Sequence, residues 1–139
     1  VSNDRHNADE VAAWLKGATP KAVRHALGAE IVRQANRLAH AQRAKLAALE
    51  QPPAESGGGL ASVRVEPGTD GMTQVVAAGG PLTTRDGYDH LLGFEFGTMH
   101  QPSRSFFWST VRALSRSIWA ELEKAAGGAI KRESFRNGE

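Results

Sequence analysis

A chain of 139 residues, 40% hydrophobic and 23% charged, is one domain's worth of ordinary globular composition. Its formal net charge is only +2, with 17 Lys and Arg interspersed among 15 Asp and Glu, which argues against a dedicated nucleic-acid binder with one basic face. With no cysteine it can hold no disulfide, thiolate or cysteine-based zinc site, and no apolar run is long enough for a membrane-spanning helix.

Val1 to His6 lacks the apolar stretch of a secretory signal. Asn7, followed by Asp9 and Glu10, reads as a helix start, and residues 8–16 are predicted helical up to Gly17. Thr19-Pro20 is a second start, with Thr as the cap and Pro at the first helical position. From Lys21 only Gly28 interrupts a run of good helix formers before Pro52-Pro53. Val23, Leu27, Ile31, Ala35, Leu38, Leu46 and Leu49 share one stripe, and Arg33 and Arg37 lie opposite. This predicts one helix of about thirty residues, far above the usual three to four turns.

Residues 51–59 (QPPAESGGG) read as a flexible loop. Residues 60–66 alternate, with Val63 and Val65 on one side, and residues 72–78 carry Val75-Val76. With turn chemistry between them, the two runs predict a β-hairpin. Residues 83–89 (TTRDGYD) read as a polar loop, and residues 90–96 fit either a strand or a helical turn. Ser103 or Ser105 is placed to cap a final helix over about 105–126. Its core face is Phe107, Val111, Leu114, Ile118, Leu122 and Ala125, and Trp108, Ser115 and Trp119 form an adjacent stripe. That stripe either covers the hairpin within the same subunit or forms a subunit interface. Gly127-Gly128 is the expected stop. These elements make an α+β fold, with a long N-terminal and a C-terminal helix on a small, mostly antiparallel sheet. The expected division is one domain over 1–126 and a C-terminal arm over 127–139, with Ile130 and Phe135 as its anchors.

Chemistry is hard to find. The five histidines do not fall at metal-ligand spacing, and Asp86, Asp89 and His90 read as a solvated loop. No serine sits in a nucleophile elbow, and Gly57-Gly58-Gly59 is not followed by the Lys and hydroxyl residue of a phosphate loop. The expectation is no enzyme, no cofactor and no metal. The aromatic content is thin, 5 Phe, 3 Trp and 1 Tyr, and much of the apolar content is alanine. Such a lean core suits a subunit completed by its neighbours.

The most distinctive run is Glu95-Phe96-Gly97-Thr98, followed by Pro102 and then Phe106-Phe107 at the mouth of the last helix. A carboxylate between Phe94 and Phe96 is partly desolvated and needs a partner, expected to be an arginine. Either Phe94 or Phe96 is expected in the core, with Gly97 at positive φ and Thr98 capping a turn. This run resembles the signature of head–tail joining and tail-completion proteins of long-tailed bacteriophages, although Ser105 stands where that family has a proline. The resemblance implies a virion neck protein assembled in the host cytoplasm as a closed homo-oligomeric ring, expected to be a hexamer. Its implied partners are head connector or stopper proteins, tail tube or tail terminator proteins, and double-stranded DNA passing non-specifically through the lumen. On that reading Trp108, Trp119, Ile130 and Phe135 are candidate interface residues, and Arg33 and Arg37 candidates for the lumen. The alternatives are a small nucleic-acid binder using the Arg-containing long helix, and an antitoxin-like or scaffold protein that binds a single partner.

Overall fold

The computed structural model describes residues 21–49 and 57–137, with side chains as far as residue 133. The expected helix over 8–16, the Thr19-Pro20 start and the Pro52-Pro53 stop lie outside the described residues. In chain order the elements are helix α1 (Lys21–Leu49), a short helix α2 (Gly58–Ser62), strands β1 (Arg64–Pro67) and β2 (Gln74–Ala77), strands β3 (Thr84–Arg85) and β4 (Tyr88–Asp89), helix α3 (His90–Phe96) and helix α4 (Trp108–Asn137). The architecture is α+β and mostly helical, with two small antiparallel hairpins, β1–β2 and β3–β4.

Helices α1 and α4 run antiparallel and form the body of the molecule. Arg37 near the middle of α1 reaches Ser117, while Gln42 nearer its C-terminal end reaches the carbonyl of Phe107 at the start of α4. The β1–β2 hairpin lies on α1 with Val65 opposite Val76, and both valines pack against the core. The hairpin tip approaches α1 so closely that a Cβ on Gly28 would stand 2.9 Å from the Gly71 carbonyl oxygen. That close approach accounts for the one glycine inside a run of helix formers.

The core is lean, as composition implied. Its cluster is Ala39, Leu46, Val63, Leu91 and Phe106. The central aromatic is Phe106, 1% exposed, and not the expected Phe107, which packs against the cluster from its edge. Helix α4 begins at Trp108 rather than near residue 105, so Phe106 precedes it and turns inward from the connecting segment. Along α1 the buried stripe includes Glu30, Gln34 and Gln42, which apolar periodicity passes over, whereas Ile31 and Leu38 are only half-buried. Gln34 Nε2 donates to Glu30 Oε1 at 2.9 Å, so these two satisfy each other. Gln42 is fully buried, and its Oε1 has no hydrogen-bond partner among the described residues.

Three local expectations are corrected and one open alternative is resolved. Residues 83–89 are not a loop: Thr84 pairs with Asp89 and Arg85 with Tyr88 across the two-residue turn Asp86-Gly87, both at positive φ. An Asp-Gly pair is the residue choice such a turn needs. Residues 90–96 are the helical alternative, because the Asp89 side chain accepts the Leu91 N–H and starts a turn there. Gly58 and Gly59, expected in a flexible loop, are buried in α2, and the strand starts only at Arg64. Gly127-Gly128 does not end the last helix. Neither glycine takes the positive φ of a C-cap, and Ala126 and Ala129 on either side are buried. Packing outweighs a helix cost of about 1 kcal/mol per glycine, so the expected arm begins as about three further turns of α4.

Two stability outcomes follow from this core. Phe106→Ala should cost about 3–5 kcal/mol, with Phe107→Ala costing less, and chemical denaturation of both variants measures the order. Gln42→Leu should be neutral or stabilising by about 1 kcal/mol, since it removes an unpaired buried amide oxygen. A clear loss for that variant would mean the amide is satisfied in solution.

Candidate functional site: the Glu95 corner and its exposed apolar surface

The signature run folds into a compact corner between α3 and α4. Asp89 starts α3 by accepting from the Leu91 N–H at 3.0 Å, the Gly80 N–H at 2.9 Å and the Thr83 hydroxyl at 2.7 Å. Burial pushes its carboxyl pKa up, but these three hydrogen bonds, helped by nearby His90, hold it below the ordinary value. Helix α3 then carries Glu95 to the mouth of α4.

Glu95 is 6% exposed and does not pair with an arginine. Its carboxylate instead closes the N-terminus of α4. Oε2 accepts the N–H groups of Phe106 and Phe107, each at 2.9 Å, and Oε1 accepts the Trp108 N–H at 2.9 Å and the Ser105 hydroxyl at 2.7 Å. Ser105 Oγ in turn accepts the Ser109 N–H at 3.1 Å. Four successive backbone donors that a helix start leaves free are thereby satisfied. A carboxylate also suits the positive end of the helix dipole. Burial raises the Glu95 pKa, but the hydrogen bonds from Phe107, Ser105, Trp108 and Phe106 together hold it below its ordinary value. Of the two expected serine caps, Ser105 takes the α4 donor. Ser103 Oγ donates to the Glu95 carbonyl oxygen at 2.5 Å.

The rest of the run brings the chain back to that carboxylate. Gly97 has φ +80°, and a Cβ there would lie 2.7 Å from the Ser103 nitrogen and 3.2 Å from the Pro102 carbonyl carbon. Thr98 pairs with Gln101, and its hydroxyl oxygen accepts the N–H groups of His100 and Gln101. The returning segment is fastened by the Arg104 N–H donating to the Phe94 carbonyl at 2.8 Å, with the Arg104 guanidinium 4.0 Å above the Phe94 ring. Of the two flanking aromatics, Phe94 packs on the core, while Phe96 is 64% exposed.

Around this corner the surface is apolar. Leu92 and Phe96, one turn apart on α3, stand exposed beside Trp108. They border a groove of about 540 Å³ whose opposite wall is β2. From Trp108 a second exposed row runs down α4. Trp108, Trp119 and Ile130 are 49%, 57% and 38% exposed and recur every eleven residues, about three helical turns. The side chain of Phe135 lies outside the described residues. The candidate lumen residues are exposed but engaged: Arg33 pairs with Glu30 at 2.7 Å, and Arg37 donates to Gln34 and Ser117. Arg43 is spent on the Val63 carbonyl. These three arginines of α1 therefore serve the fold locally.

Among the described residues no group of three or more His, Asp or Glu side chains is placed to hold a metal ion, and no helix is long and apolar enough to cross a membrane. Comparison of the chain with protein-family models, curated proteins and solved structures finds no match.

Removing the Glu95 carboxylate should be costly. Glu95→Ala strands several buried donors and should lose on the order of 3 kcal/mol. Because the folded pKa lies below the unfolded one, the stabilisation is fully present above the ordinary glutamate range near pH 4.3. It is lost as pH falls from there through the lowered folded pKa. Thermal unfolding from pH 7 to pH 3 should therefore show wild type and Glu95→Gln converging at the acid end. A gap that stays constant with pH would mean the carboxylate is not charged in the folded state.

Proposed function

We propose that this chain is a structural subunit of a long-tailed bacteriophage neck. It would work as one copy of a closed ring around the DNA channel, in tail completion or head–tail joining. The observation that carries the reading is the row of exposed large apolar side chains, Leu92, Phe96, Trp108, Trp119 and Ile130. The row starts at the corner built by the phage-like signature. A solitary chain rarely leaves so many large apolar side chains exposed along one path, and such surfaces mark protein contacts. Tryptophan in particular concentrates at the centres of protein interfaces.

Closed rotational symmetry requires heterologous contacts, in which one patch of a copy meets a different patch of the next. The Trp108–Trp119–Ile130 row would be one such patch. Its partner would lie on α1 of the neighbouring copy, where Val32 is also exposed. The activity is mechanical: copies associate, their apolar rows are buried and a continuous channel is sealed. DNA would pass without tight binding, in keeping with arginines that are already engaged within the subunit.

Trp119→Asp tests the interface. The substituted side chain is exposed, so the subunit should keep its far-UV circular dichroism and melting temperature while losing assembly, read as mass in solution with and without tail components. A variant that forms the same particles as wild type removes Trp119 from the contact. Wild-type protein that stays monomeric with tail components present would overturn the ring.

A further inference from the structure

We propose that the outer edge of β2 is a docking site for an extended strand of a partner polypeptide with apolar residues at every second position. The inference rests on the edge and the groove beside it, and holds whether or not the chain forms a ring.

The hydrogen-bond phase of the hairpin decides which groups are free. The Gly68 N–H donates to the Thr73 carbonyl at 2.8 Å, so that pair is a bonded one. Bonded and non-bonded pairs alternate in an antiparallel ladder. Following the register back, Pro67↔Gln74 and Val65↔Val76 are non-bonded pairs, whose backbone groups point away from each other. The N–H and C=O of Gln74 and Val76 therefore point outward, and among the described residues they find no partner.

The two edges of the hairpin are not equivalent. On β1 the outward position at Pro67 has no N–H to offer, and the outward carbonyl of Val63 is held by Arg43 at 2.6 Å and 3.1 Å. Proline and local charges are common means of blunting a strand edge. Edge β2 carries no such guard. It faces the groove of about 540 Å³, with Leu92, Phe96 and Trp108 across from it.

The unmet groups define the occupant. A row of backbone donors and acceptors beside an apolar slot fits an added β-strand, with main-chain bonds giving affinity and the slot reading alternate side chains. The two carboxylates that line the groove, Asp89 and Glu95, are committed to donors of their own chain. The groove therefore offers a partner no free charge, and the side chains entering it are apolar. Head-to-tail extension of the sheet by copies of this chain is disfavoured, because the β1 edge that each neighbour would present lacks an N–H at Pro67 and has its Val63 carbonyl occupied, leaving only Val65 with both outward groups free among the described residues.

The test uses the full-length protein and a synthetic heptapeptide of alternating Thr and Val, N-methylated at every second residue. One hydrogen-bonding edge of this probe is blocked, so it cannot associate with itself. Saturable binding is expected, with amide exchange at Gln74 and Val76 slowed by about tenfold or more. A control peptide methylated on both edges should not bind. Val76→Pro removes an outward N–H without touching the β1–β2 ladder and should abolish binding while the protein stays folded. Leu92→Asp, on the opposite wall, should weaken it by about tenfold or more. The proposal is overturned if the probe does not bind, if the doubly methylated control binds equally well, or if folded Val76→Pro retains full binding. It is also overturned if Gln74 and Val76 become protected with rising protein concentration alone, because the occupant is then a second copy.

Discussion

One carboxylate holds α3 and α4 in register. Glu95 sits at the end of α3 and takes three consecutive N–H groups and a hydroxyl at the start of α4. Burying a carboxylate is expensive unless its oxygens are fully hydrogen-bonded. The lowered pKa says that the hydrogen bonds outweigh the burial. The geometric consequence matters as much as the energy. Three successive backbone nitrogens fixed to one side chain leave α4 little freedom to swing relative to α3, so Phe106 is directed inward and Trp108 outward.

This constraint is needed because the core is small. Polar side chains occupy part of the α1 stripe, and Gln42 among them is fully buried. Meanwhile two of the three tryptophans are about half exposed. The chain thus places several polar groups inside and several large apolar groups outside. A half-exposed tryptophan holds roughly 100 Å² that a partner could cover, about 2.5 kcal/mol at 25 cal/mol per Å².

Much of the fold was legible in the sequence where one period persisted. The long first helix, the β1–β2 hairpin and the last helix each announce themselves over many residues. The failures share a cause, because local chemistry was read without its tertiary partner. Gly127-Gly128 looks like a stop, yet the burial of Ala126 and Ala129 carries α4 through it. Asp86-Gly87 carries a hairpin signal, but only two residues pair on each side, too few for alternation to register. For Glu95 the need for a partner was readable and the partner was not. An arginine is named in sequence, whereas a row of backbone N–H groups exists only once α3 and α4 are juxtaposed. The Ser105 position follows the same logic: its hydroxyl donates to the carboxylate and accepts from Ser109, a bridging role that a proline could not fill. Sequence left Phe94 and Phe96 as alternatives for the core because aromatic character alone does not say which way a short helix faces, and it is Phe94 that packs inward.

The corner also ties the two exposed surfaces to one another. Trp108 closes the groove opposite β2 and heads the apolar row along α4, and its backbone N–H is one of the donors held by Glu95. A strand laid against β2 would contact the Trp108 side chain, and a neighbouring subunit on the α4 row would contact it from the other side. Both contacts therefore depend on where one carboxylate places one tryptophan. On this view the signature run owes its composition to that placement. Glu95 supplies the acceptors, Gly97 the tight approach, Thr98 and Pro102 the return path, and Phe106 the anchor that stops the corner from opening.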